Sequence, residues 1–304
     1  MSTQNDIRRE VTSRIVAALE AGTPPWRRPW RNDLTNAGAA ANASSGLRYR
    51  GVNAMLLGLA GYESRWWATY AQVQALGGRV RRGEHGTRIV FWKQIEKETA
   101  FTVDGEDVLD TFPLLKTYSV FNVTQVDGME HFQARPRDAT PFVDFAPAEA
   151  VLATSGADIR YGGGKAVYVA GEDYIRLPEP GAFNAPHEFY ATAFHELIHW
   201  TGHAARLDRL TKIARFGSTA YAREELVAEI GGCFLSAEVG VPQSGDLSNH
   251  AAYLHSWLTI LGADPTAIFT AAGQASAAAD YILSFSRRGG AGEKCVPAAT
   301  GVEG

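Results

Sequence analysis

Cysteine is nearly absent. Cys233 and Cys295 are the only two in 304 residues, which excludes a disulfide framework and a zinc site built on thiolates. No run of 18 or more apolar residues occurs, so no helical membrane span and no membrane partner is expected. The first ten residues are polar and charged and lack the apolar stretch of a secretory signal. A cytoplasmic protein is the resulting expectation. Methionine is scarce as well, and none follows Met129. Charged residues make up 20% and hydrophobic residues 45%, a balance that excludes a disordered chain and fits a globular one.

The net charge of −4 conceals a division. Residues 1–100 carry 15 Lys and Arg against 8 Asp and Glu, whereas residues 139–304 carry 11 against 18. A basic first half suits an anionic partner, although a solvated basic face gives the same count.

The length accommodates two domains. Apolar residues at helical spacing predict a helix over residues 6–21, ended by Gly22 and the Pro24-Pro25 pair. Short helices are expected at 53–59 and 69–76, and strands at 87–94, 101–108 and 114–121 with acidic turns between them. Three prolines in residues 133–147 mark a boundary. Beyond it come a helix at 148–155, strands at 158–161, 166–169 and 174–177, and helices at 186–202, 220–239, 249–261 and 265–284. The expected class is α+β. The expected division is a nucleic-acid-binding domain at 1–135, a linker at 136–147, a mainly helical domain with a small sheet at 148–286 and a disordered tail at 287–304.

The helix expected at 186–202 contains His195-Glu196-Leu197-Ile198-His199. Residues i and i+4 share a helix face, so His195 and His199 can grip one ion. Imidazole nitrogen suits Zn²⁺, with another divalent metal such as Mn²⁺ as the alternative. Glu196 adjoins the first ligand and can serve as general base toward water. A helix with two surface histidines is the competing reading, but apolar Phe194, Leu197, Ile198 and Trp200 around them argue for a buried helix, and a chance match to this motif is rare.

Two histidines need a third ligand. The longer peptidase motif with Gly at +3 and His at +6 from the second His fails here: Gly202 fits, but position 205 is Ala205. That motif also needs a methionine turn downstream, which this sequence lacks. A glutamate from a following helix is the other solution. Glu225 and Glu229 lie at i and i+4, so one could bind metal while the other orients a histidine. Small Gly231 and Gly232 beside Glu229 favour Glu229 as the ligand, with Glu225 as the alternative. Tyr253 and His255 are candidates for stabilising an oxyanion.

The first half interleaves aromatic and basic residues. Trp26, Arg27, Arg28 and Trp30 lie in a proline-stiffened segment. Tyr49 with Arg50, Trp66 with Trp67 and Tyr70, then Arg79, Arg81 and Arg82 repeat the theme. Bases stack on such rings while arginine meets phosphate. Stacking needs exposed base faces, which favours single-stranded nucleic acid over duplex. Core packing of the tryptophans is the alternative.

The ordered set of segments GTPPWRRPW, YRGVNAMLL, RWWATYAQ, GGRVRRGEHGT, FHELIHWTGHAARLDR and EELVAEIGG resembles the ArdC family of plasmid antirestriction proteins over residues 5–285. The resemblance implies an N-terminal domain that binds single-stranded DNA and a C-terminal zincin-like metallopeptidase domain. It implies a setting in conjugation, where incoming DNA must escape host restriction and a restriction-related host protein is the candidate peptidase substrate. The rival expectations are a DNA-binding shield whose metal site is structural and, least favoured, a metal-dependent nuclease.

Overall fold

The structure, a computed structural model, describes residues 3–21, 39–62, 64–103, 106–132, 145–183, 185–210, 218–243 and 251–288. Side chains are described for all of these except 93–103, 106–113, 251–253 and 287–288.

Helix α1 (Gln4–Glu20) begins slightly before the expected position. Thr3 and Asp6 close a reciprocal cap: Asp6 N–H donates to Thr3 Oγ1 at 3.2 Å and Thr3 N–H to the Asp6 carboxylate at 2.8 Å. Ile7, Val11, Ile15 and Leu19 form its buried stripe.

Strands β1 (Ala41–Asn42) and β2 (Trp66–Thr69) flank helix α2 (Val52–Leu59). Helix α3 (Tyr70–Ala75) and strand β3 (Arg79–Val80) lead into β4 (Thr87–Val103) and β5 (Glu106–Asn122), and β6 (Val126–Asp127) follows. The main sheet has the order β1-β2-β5-β4, while β3 pairs with β6. At the β4 edge the Asn53 side chain substitutes for a neighbouring strand. It accepts from Val90 N–H at 2.9 Å and donates to Val90 C=O at 2.7 Å.

The three strands expected across 87–121 are two long ones. The turn expected between residues 94 and 101 is continuous strand, with Glu96 paired to Thr111 and Lys97 to Asp110. Only the base of this hairpin joins β2. Beyond it β4 and β5 pair only with each other, and the charged residues along both strands imitate turn composition.

The second half follows the expected order: α4 (Ala146–Thr154), β7 (Asp158–Tyr161), β8 (Val167–Val169), β9 (Tyr174–Leu177), α5 (Pro186–Thr201), α6 (Thr219–Val239), α7 (Ala251–Ala263) and α8 (Ala267–Arg288). Its sheet has the order β7-β9-β8, with β7 parallel and β8 antiparallel to β9. That order leaves β8 on an edge, packed beside α5. Ser218 caps α6, accepting the Tyr221 N–H at 3.2 Å, and Gly240 ends it in the left-handed conformation.

Most of the expected linker, residues 136–144, lies outside the described residues. One apolar core nevertheless runs through both halves. Ile7, Val11, Ile15, Val52, Met55 and Leu56 from the first half pack with Phe194, Leu226, Trp257 and Ile282 from the second. Thr12 Oγ1 donates to Pro265 C=O at 2.9 Å, tying α1 to the turn before α8. Among the described residues, no helix is long and apolar enough to cross a membrane.

Candidate metal centre

Helix α5 is buried around most of its circumference, from Phe189 and Tyr190 to Trp200 and Thr201. It lies between the β7-β9-β8 sheet and helix α6. The two helices meet at backbone contact: a Cβ on Gly232 would stand 3.3 Å from His195 N, and one on Gly231 2.8 Å from the Ile198 side chain. Helix α6 is equally buried and carries three inward carboxylates, Glu224, Glu225 and Glu229. Buried charges persist only when partnered, and two of these partners are the histidines.

His195 Nε2 and His199 Nε2 lie 3.1 Å apart. Glu225 approaches both, with Oε2 at 3.4 Å from His195 Nε2 and Oε1 at 3.6 Å from His199 Nε2. Neighbouring ligands of a tetrahedral zinc ion, each about 2.0–2.1 Å from the metal, stand roughly 3.3 Å apart. The donor atoms are thus already at ligand spacing. Among the described residues, His195, His199 and Glu225 form the one group able to hold an ion.

This geometry reverses the order of preference between the two acids. Glu229 is buried on α6 with the Cys233 thiol 3.9 Å from its carboxylate, and it stands outside the ligand group. The glycines that favoured it argue the opposite way. Where backbones nearly touch at Gly232, no volume remains for imidazole, ion and carboxylate together. Seven residues earlier, about 10 Å along the helix, the gap accommodates side chains, and Glu225 occupies it.

The centre is electrostatically negative. Burial pushes the His195 imidazole down, but its Glu225 hydrogen bond and the charges of Glu196, Glu225 and Glu229 outweigh burial and raise it to about 9. Burial pushes Glu225 up, yet the hydrogen bond from His195 and the two neighbouring imidazoles hold it at about 2. Tyr221, one turn earlier on α6, also hydrogen-bonds the Glu225 carboxyl.

Glu196, the next residue along α5, reaches toward the neighbouring sheet. The backbone N–H of Tyr168, on edge strand β8, donates to Glu196 Oε2 at 2.7 Å. A clamp holds that strand in place. The Tyr168 hydroxyl donates to Asp173 at 2.7 Å, and Arg206 bonds both Asp173 and the Tyr168 oxygen while lying 3.9 Å from the Trp200 ring centre. Burial, then the bond to Asp173, pushes the Tyr168 phenol up; the Arg206 bond holds Asp173 at about 2.

The motif did not disclose Glu224, Arg206, Arg209 or Tyr221. The signal was present in the arginines that follow the helix, three residues apart, but their targets are remote in sequence. Tyr253 lies outside the described side chains, and His255 is exposed on α7.

The aromatic-basic set is dispersed. Trp26, Arg27, Arg28 and Trp30 lie outside the described residues. Trp67 is 1% exposed and packs edge-on to Tyr62. A ring without an open face cannot stack a base, so Trp67 is a core residue. Adjacent strand positions point to opposite faces, which is why Trp66 and Trp67 could not share a surface. Trp66 is half-buried between Phe132 and the Arg65 guanidinium. Tyr49 is half-buried, its oxygen accepting from Asn42 at 3.1 Å, and burial pushes its phenol up. Arg50 forms an ion pair with Asp280 of α8. Arg81 meets Glu84 at 3.0 Å and Asp127 at 3.8 Å. Tyr70 is 53% exposed, and Arg79 and Arg82 are exposed.

The fold and its site define a two-domain α+β protein whose second domain is a zincin-like metallopeptidase domain, and comparison with known proteins agrees. The family described as zincin-like metallopeptidase matches residues 146–274, and the N-terminal domain of anti-restriction factor ArdC matches residues 5–121. The metal-free crystal structure of the antirestriction ArdC protein from plasmid R388 is 41% identical, covering 92% of this chain and 98% of that one at a TM-score of 0.77. Its Mn(II)-bound form superposes at a TM-score of 0.73 with 40% identity. The chain belongs to the ArdC antirestriction family. It is also 38% identical to the uncharacterised protein y4eC of Sinorhizobium fredii over 92% of each chain. DNA primase TraC of Escherichia coli is 40% identical over 294 residues, but the chain spans only 27% of that protein's length.

Proposed function

We propose that this protein binds single-stranded DNA through its first half and carries a divalent-metal peptidase centre in its second, protecting plasmid DNA that enters a cell by conjugation. We place the division between the two near residues 136–147. The observation that carries the peptidase reading is the convergence of His195, His199 and Glu225 at ligand spacing, with Glu196 adjacent. His195 Nε2, His199 Nε2 and the Glu225 carboxylate would hold the ion. Two imidazoles and a carboxylate suit Zn²⁺, and the Mn(II)-bound R388 relative supports Mn²⁺ as the alternative.

A bound divalent ion would supply Lewis acidity toward a water and a carbonyl oxygen. The protein's own groups do the remaining work. Glu196 takes a proton from water and returns it to the leaving amine, a general acid–base role. Tyr168 N–H fixes one Glu196 oxygen and leaves the other to accept that proton. Tyr221, which hydrogen-bonds the Glu225 carboxyl, and Tyr253 are the hydroxyl donors to test for oxyanion stabilisation. In the first half, exposed Tyr70, Arg79 and Arg82 support a stacking and phosphate surface; the segment with Trp26, Arg27, Arg28 and Trp30 would extend it. A restriction-related host protein is the proposed substrate.

One observation favours a second reading, a DNA-binding shield with a structural metal: Glu196 is buried and already bonded to Tyr168. Glu196→Ala separates the two. Under the peptidase reading the variant keeps its metal but loses protection of incoming DNA in a conjugation assay. Undiminished protection would leave the shield reading standing.

A further inference from the structure

Arg209 leaves the helix motif and returns to it. The chain turns back after α5, with the Arg209 and Leu210 N–H groups both donating to Gly202 C=O at 2.9 Å. Gly202 has no room for a side chain: a Cβ there would stand 2.9 Å from Leu210 Cγ and 3.2 Å from Arg209 Nη2. The guanidinium is thereby placed between α5 and α6. Its Nη1 donates to Thr201 Oγ1 at 2.9 Å and its Nη2 to Ile198 C=O at 2.8 Å, both on α5. Toward α6 it forms a fork, Nε to Glu224 Oε2 at 3.1 Å and Nη2 to Glu224 Oε1 at 2.9 Å. Both partners are buried, Arg209 at 6% and Glu224 at 5% side-chain exposure.

Glu224 has one further partner, His199 Nδ1 at 3.3 Å. A carboxylate held by arginine only accepts, so Nδ1 must carry the proton. The ring then presents an Nε2 lone pair toward His195 and Glu225. From this chain of contacts we infer that Arg209 is a positioning residue for the metal centre, acting through Glu224 to fix the tautomer and orientation of His199. The inference rests on the metal-centre reading above. Lysine cannot replace arginine here, because a single ammonium does not span a planar fork and two further acceptors on another helix.

The test is a double-mutant cycle read by metal affinity. Zn²⁺ and Mn²⁺ dissociation constants are measured by chelator competition for the full chain and for the Arg209→Ala, Glu224→Ala and doubly substituted variants. Each single change is expected to weaken binding ~10–100-fold, and the double change to cost no more than the larger single one. Arg209→Lys, the milder variant, should also bind more weakly while melting near the wild-type temperature. The visible spectrum of bound Co²⁺ should shift in each variant, because it reports ligand geometry rather than folding. Losses that multiply in the double variant would overturn the route through Glu224. Wild-type affinity in a folded Arg209→Ala or Arg209→Lys variant would overturn the positioning role alone. Failure of the wild-type chain to take up either ion would overturn the metal-centre reading first.

Discussion

The α5–α6 crossing and the aromatic-basic first half were both read from short residue patterns, yet the structure treats them differently. In the crossing, His195, Glu196 and His199 stand together because four residues make one helical turn. In the first half, nine of the twelve aromatic and basic candidates are half-buried, ion-paired, in the core or outside the described residues, leaving Tyr70, Arg79 and Arg82 exposed. A spacing inside one helix dictates geometry. A composition shared among loops, strands and helices states only which residue types are available, and burial then decides their use.

The sharpest way to break this contrast is to remove a ligand. His199→Ala should weaken metal binding by more than ~100-fold, beyond what loss of an outer partner costs, while single-strand DNA affinity stays unchanged. A simultaneous loss of DNA binding, read by mobility shift, would mean that the two regions do not act separately. Next in size is Trp67→Ala. Deleting this buried ring should cost about 3–5 kcal/mol of stability, measured by urea denaturation. A change smaller than ~1 kcal/mol would return Trp67 to the surface.

The helix crossing itself gives the third test. Gly232→Val places a side chain against His195 N, and overpacking of this kind costs about 1–3 kcal/mol. Metal affinity should fall with it, because α5 and α6 must separate; a variant with wild-type melting and metal uptake would show that the contact is not limiting. In the first half, Tyr70→Ala should leave stability nearly unchanged and weaken single-strand binding by about 1–3 kcal/mol. The smallest expected effect belongs to Arg82→Ala, which should reduce the slope of log affinity against log salt by ~0.7. An unchanged slope would place Arg82 away from phosphate.

Element order in the second half was legible because α5, α6 and α8 are long, with Pro186 opening α5 and Ser218 and Gly240 bounding α6. The β4–β5 hairpin was not, since the charged residues along its strands look like turns in the sequence. The choice between Glu225 and Glu229 was equally illegible. Both lie on one face of α6, and only the position of the Gly231–Gly232 contact along α5 selects between them.

The sequence by itself determined the helix that carries His195, Glu196 and His199, because local backbone periodicity places those side chains without reference to the rest of the chain. It also carried, in the order of its segments, membership of the ArdC family. Tertiary structure alone decided which carboxylate approaches both imidazoles, the Arg209–Glu224 contact with His199 and the contact of Tyr168 with Glu196. It alone separated core Trp67 from exposed Arg79 and Arg82. The physical reason is common to all four: each depends on which surfaces two remote segments bury against one another, and no spacing within a single segment encodes that.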